Sequence, residues 1–206
     1  MEIHEIFPQP VYQSKLEREL TKSELNAMDK FRPRGPLPKT LRYSTRQSKE
    51  HYVLETKELK NLKEDLNKMV VDYFEKVVCT SNSIFPHITQ SWLNYTESQQ
   101  FLHRHCHQNS FVSGVFYPSA DKKFDKIKFF REGYERLQLQ HEKYNLYNST
   151  SWTFPVETGD VVLFPSHLIH EVSHKKGTNL RVSLAFNVFF KGQLGSNASL
   201  TELVLI

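Results

Sequence analysis

Hydrophobic and polar positions divide the chain into two textures. Between 56 and 78, Leu59, Leu62, Leu66, Met69, Val70, Tyr73, Phe74 and Val77 recur at steps of three and four, the spacing of one helix face. Lysines and acids occupy the other face, and the apolar stripe is expected to pack on the protein's own sheet. After Phe85-Pro86 the pattern changes to short runs rich in aromatic and branched residues. These predict strands at 88–95, 101–107, 111–117, 126–131, 136–141, 151–156, 161–164 and 180–190, punctuated by Gly, Asn, Asp, Ser and Pro. Many short strands at near-regular spacing indicate a mainly β sandwich or jelly roll rather than a parallel α/β sheet.

The first third of the chain reads as support. Residues 3–12 carry Pro8 and Pro10 and predict an extended edge strand, because proline donates nothing to a ladder. Thr21-Lys22-Ser23-Glu24 has the form of a capping box opening a short helix toward Phe31. Residues 32–39 hold three prolines and a glycine and predict a loop. One domain over 1–206 is expected: an N-terminal strand and helices to 85, a β core over 86–191, and a tail over 192–206 that adds a last strand or packs on the body.

Composition narrows the possible partners. Hydrophobic residues make up 38% of the 206 and charged residues 24%, a soluble globular balance. The formal charge of +4 is spread along the chain, so no nucleic-acid footprint is expected. MEIHEIFPQP lacks an apolar signal core, and no apolar run approaches the ~20 residues that span a bilayer. A cytoplasmic protein with no membrane partner is the expectation. Cys79 and Cys106 give no disulfide framework and no zinc-knuckle spacing, which fits a reducing compartment.

The candidate chemistry lies in His103-Arg104-His105-Cys106-His107. Alternation along a strand would put the three histidines on one face and Cys106 on the other, as a small buried residue. His170 follows the apolar run Val161–Phe164 and could close a facial metal site with open positions. Two histidines and usually a carboxylate are the pattern of non-haem Fe(II) oxygenases. Arg181 sits inside the apolar strand Leu180-Arg181-Val182-Ser183-Leu184, where a charge is costly unless paired. Its guanidinium suits a bidentate grip on a carboxylate, and Ser183 shares its face. Together these suggest a dicarboxylate co-substrate, with a structural ion pair as the alternative reading of Arg181.

Two stretches resemble the 2-oxoglutarate/Fe(II)-dependent oxygenases, most closely a marine bacterial and phage group with a His-x-His motif. The first carries Trp92, Asn94, His105, His107, Ser113, Gly114, Val115 and Tyr117. The second carries Gly159, Asp160, Phe164, Pro165, His170, Arg181, Ser183 and Asn187. The resemblance covers 88–190 and is weak before it. It implies a double-stranded β-helix, cupin-like, with Fe(II) on His105, His107 and His170 and with 2-oxoglutarate and O2 as co-substrates. Arg181 and Ser183 would hold the far carboxylate, and Asn94 and Tyr117 would lie near the co-substrate or be ordinary core residues. The spacing to Ser113-Gly114 favours the pair His105/His107 over His103/His105, and the spacing to Arg181 favours His170 over His167 or His174.

One departure stands out: the wider superfamily places an acid at position 107. An imidazole there leaves three neutral ligands, and it fills a position that halogenating relatives keep small, which argues against chloride chemistry. The activity implied is hydroxylation of an unactivated C–H with release of succinate and CO2. Prolyl hydroxylases among the relatives point to an amino acid, a peptide or another small molecule as substrate. Segments 32–51 and 121–151 are expected to line the substrate site. Two other readings remain open: a three-histidine cupin-type dioxygenase that uses no 2-oxoglutarate, and a catalytically silent β-helix with a binding or structural role.

Overall fold

The computed structural model describes residues 2–133 and 139–206. Its strands are β1 (Tyr12–Lys15), β2 (Arg46–Gln47), β3 (Ile84–Thr96), β4 (Leu102–His105), β5 (Val112–Ser119), β6 (Lys126–Phe130), β7 (Ser151–Pro155), β8 (Asp160–Pro165), β9 (His170–Val172), β10 (Arg181–Leu194) and β11 (Leu203–Leu205). The helices are α1 (Lys22–Lys30) and α2 (Lys60–Tyr73). A larger sheet runs β1-β8-β5-β10-β3-β2, with β11 added to β10, and a smaller one runs β4-β9-β6-β7. All of these strand pairs are antiparallel. This is the double-stranded β-helix, mainly β with N-terminal helical support.

Two hydrophobic layers hold the sheets. The larger lies between the helices and the outer face of the large sheet, and it takes in Leu62, Leu66, Val70, Tyr73, Leu93, Phe116, Leu163, Leu184, Phe186 and Val188. The smaller fills the space between the sheets with Val115, Tyr117, Ile127, Phe129, Val162, Phe164 and Leu168. Alternation sorts β10 between them. Leu184, Phe186 and Val188 face the helices, so Arg181, Ser183, Ala185 and Asn187 face the interior between the sheets.

The amphipathic segment folds as expected, as a 3₁₀ turn over Lys57–Leu59, then α2, then a π turn over Phe74–Val78. Val77, at its end, is exposed. The capping box is complete: Thr21 Oγ1 accepts from the Glu24 backbone amide, and the Glu24 carboxylate accepts from that of Thr21. Three expectations need correction. The N-terminal edge strand begins only at Tyr12, since Pro8 and Pro10 have no N–H to give β8. Strand β4 stops at His105, short of His107. Of the strand expected at 136–141, residues 136–138 lie outside the described residues, and 139–141 are not strand. The tail does add a strand, β11.

Candidate metal centre

His105, His107 and His170 come together at one end of the interior, each offering a ring nitrogen within 4.8 Å of the others. His105 and His170 face each other across β4 and β9. His107 comes from the turn after β4, whose backbone is pinned by a hydrogen bond from His107 N to Ser166 O. The three rings do not share a face by simple alternation. Leu102 pairs with Val172 and His105 with His170, so β4 spends one residue more than β9 over the same stretch. This bulge re-aims the side chains that follow it and leaves His103 exposed. Its ring centre is 5.3 Å from that of His105, but it is outside the cluster. Cys106 is half-buried rather than buried.

Each ring is oriented through its Nδ1. His105 Nδ1 lies 2.7 Å from His103 O, and His170 Nδ1 lies 3.0 Å from Leu168 O. Carbonyl oxygens only accept, so both rings carry their proton on Nδ1 and leave Nε2 bare, as a metal ligand requires. His107 reaches the same tautomer through a series of hydroxyls. Ser110 Oγ donates to Val112 O at 2.9 Å. Ser166 Oγ donates to Ser110 Oγ at 2.8 Å, so Ser113 Oγ donates in turn to Ser166 Oγ at 2.9 Å. Only lone pairs then remain on Ser113 Oγ, 2.9 Å from His107 Nδ1, and Asn187 Oδ1 adds a second acceptor at 2.7 Å. Position 107 thus has support suited to a neutral imidazole.

The surroundings keep all three rings uncharged at neutral pH. Burial pushes the His170 pKa down to about 3. Burial also lowers His105 and His107, the latter against the opposing pull of its hydrogen bond to Asn187. Three bare Nε2 atoms form an open site for a divalent transition ion such as Fe(II).

Deeper in the same interior lies Arg181, 2% exposed. Among the described residues, its side chain makes one hydrogen bond, from Nη1 to Lys126 O at 3.5 Å, and its Nε has no partner. Burial lowers its pKa, while Tyr117 and Asp125 pull the other way. A buried guanidinium left this unsatisfied costs several kcal/mol, and a carboxylate would satisfy it. Asn94 sits beside Ser183 across β3 and β10 and is buried, with Oδ1 also lacking a partner. Tyr117 is buried nearby, its pKa pushed up to about 12 by burial. Orphaned donors and acceptors in one interior mark a site made for a polar guest.

The spacing suits a dicarboxylate. His170 pairs with Phe129 on β6, and Arg181 touches Lys126 three residues back, about 10 Å along the strand. A gap of this order is one that a five-carbon diacid would suit, lying between a metal and the guanidinium. Sequence reasoning missed Ser110 and Ser166, because a loop serine carries no signal of a distant partner. It also missed the buried pair formed by Lys175 and Asp125, 3.0 Å apart. Asn179 Nδ2 donates to Asp125 at 2.8 Å, which ties the segment before Arg181 to the segment before Lys126.

Residues 90–187 match the family described as "Putative 2OG-Fe(II) oxygenase". No curated protein matches the chain significantly. Among solved structures, HygX from Streptomyces hygroscopicus with nickel and 2-oxoglutarate bound is 14% identical, with a TM-score of 0.56 over 87% of this chain and 82% of that one. The carbocyclase SnoK from nogalamycin biosynthesis is 11% identical, with a TM-score of 0.59 over 92% and 84%. A Pseudomonas putida prolyl-4-hydroxylase is 13% identical, with a TM-score of 0.52 over 87% and 92%. The core of this chain is therefore similar to the 2-oxoglutarate/Fe(II) oxygenases in sequence over 90–187, and in fold it is their double-stranded β-helix.

Proposed function

We propose that the chain is an Fe(II)- and 2-oxoglutarate-dependent oxygenase that hydroxylates an unactivated C–H of an amino acid, a peptide or another small molecule. The overall change is R–H + 2-oxoglutarate + O2 → R–OH + succinate + CO2. The observation that carries this reading is the pairing of three bare imidazole nitrogens with a buried, unsatisfied guanidinium in one interior. His105, His107 and His170 hold Fe(II), which with 2-oxoglutarate supplies oxygen activation. Arg181 and Ser183 grip the distal carboxylate. Asn94 and Tyr117 offer polar groups near the co-substrate, and Asn94 Oδ1 is free to accept a hydrogen bond. The aromatic and aliphatic side chains packed around Phe129 and Phe164 exclude water from the interior.

The all-imidazole donor set is the one observation that favours a cupin-type dioxygenase, whose organic substrate would itself bind the metal. Arg181 separates the readings. In Arg181→Ala, 2-oxoglutarate binding to metal-loaded protein, followed by its charge-transfer absorption without O2, is expected to vanish. Succinate formation should vanish with it. Unchanged succinate formation in that variant rules out the assignment of Arg181. Loaded iron that gives no such absorption in the natural protein rules out the 2-oxoglutarate reading and favours the cupin-type or silent alternatives.

A further inference from the structure

We infer that the primary substrate enters a chamber that adjoins the metal centre across Phe129 and Leu168, and that it carries an uncharged apolar group bearing a ring; this rests on the oxygenase reading above. The chamber has a volume of about 760 Å³, within the range of small-molecule sites. Its walls include Phe129, Trp152, Phe154 and Leu168 from the sheets and their turns, Tyr147 from the β6–β7 connection, and Phe7 from the N-terminal arm. Residues within 4–11 and within segment 121–151 line this chamber, and none of 32–51 does.

Strand register ties the chamber to the metal centre. His105 pairs with His170, His170 with Phe129, and Phe129 with Trp152. The four form one inward row across the small sheet. Trp152 lies two strands from His170, about 10 Å away. The ring of Phe129 joins the two, 6.2 Å from the His170 ring and 5.7 Å edge-on to Phe154. Leu168, whose carbonyl orients His170, lines the chamber too. The chamber lies toward the end of β6 and the start of β7, whereas Arg181 reaches the start of β6 at Lys126.

The lining states what fits. Trp152 is 40% exposed, Tyr147 49% and Phe7 90%, and such large apolar side chains gathered at one mouth mark a ligand surface. Flat rings meet apolar rings through offset or edge contacts. The charged lining residues Glu5, Arg131 and Glu132 are all exposed, so charge stays at the solvent side. The arm is held over the opening by Tyr147 Oη donating to Glu5 at 3.4 Å.

The test uses 4-fluorobenzyl alcohol as probe, followed by fluorine NMR on the full chain. Its signal should broaden on binding, and the affinity should fall about tenfold in Trp152→Ser. It should be unchanged in the control Leu203→Ser, on β11. Loading with Mn(II) should broaden the bound signal further, because the chamber adjoins the histidines across Phe129. Absence of binding, or equal binding in Trp152→Ser, overturns the chamber. Binding in the chamber with no effect of bound Mn(II) overturns its link to the metal centre. Failure of Mn(II) to bind at all, read by its own resonance, is instead a failure of the oxygenase reading.

Discussion

At the scale of single residues, the centre depends on tautomers as much as on ligands. His107 Nδ1 is held by Asn187 Oδ1 and Ser113 Oγ, and outer partners of this kind sustain metal affinity. Asn187→Ala is expected to weaken Fe(II) or Co(II) binding roughly 10–100-fold in calorimetric titration, with the fold retained. The depressed histidine pKa values add a pH signature. An unfolded histidine titrates near 6.5, whereas His170 in the fold titrates near 3. Between those values the unfolded chain binds more protons, so stability falls as pH falls through that window, by at most about 1.4 kcal/mol per pH unit. Above 6.5 both forms are neutral and the contribution is flat. Denaturant titrations of the metal-free protein should show this slope, and His170→Leu should reduce it. For the same reason, metal uptake at neutral pH should release almost no protons, as measured in buffers of different ionisation enthalpy.

At the scale of elements, close approach between strands sets the limits. A Cβ on Gly114 would lie 2.1 Å from the ring of Phe186, which is fully buried and has nowhere to retreat. Gly114→Ala is expected to cost roughly 1–3 kcal/mol, read as a lowered thermal midpoint. Much of this level was legible in the chain. The helical stripe, the capping box and most strands of the β core declared themselves by period and punctuation. The bulge in β4 did not, because nothing in Leu102–His105 marks which residue is extra. Strand β9 is only three residues long, too short for a period to show. The cluster of His105, His107 and His170 was read from spacing and resemblance, yet the alternation offered as its cause is not the one that operates. The hydroxyls behind His107 and the Lys175–Asp125 pair depend on contacts between distant segments, which local pattern does not contain.

At the scale of the molecule, two layers divide the labour. The helices and the outer face of the large sheet form the main core, and the smaller interior layer leaves room for the site. Among the described residues, no helix is long and apolar enough to cross a membrane. Three ligands drawn from two strands and a turn make metal binding a clamp on the whole smaller sheet. Saturating metal should raise stability by about 2.7 kcal/mol at a hundredfold excess over its dissociation constant, and His105→Ala with His170→Ala should abolish the gain in thermal scans. The hydroxyl series extends that influence beyond contact distance. Its four hydrogen bonds run in one direction, away from His107 and into the Val112 carbonyl. Ser110 touches no ligand, yet it is the terminus that sets this direction. Without its hydroxyl, Ser166 and Ser113 are free to reverse. Ser113 can then donate to His107 and favour the tautomer whose proton blocks Nε2. The choice of ligand atom on His107 is thereby reinforced from three side chains away, beside the direct acceptor Asn187 Oδ1, by a residue that a map of metal contacts would omit.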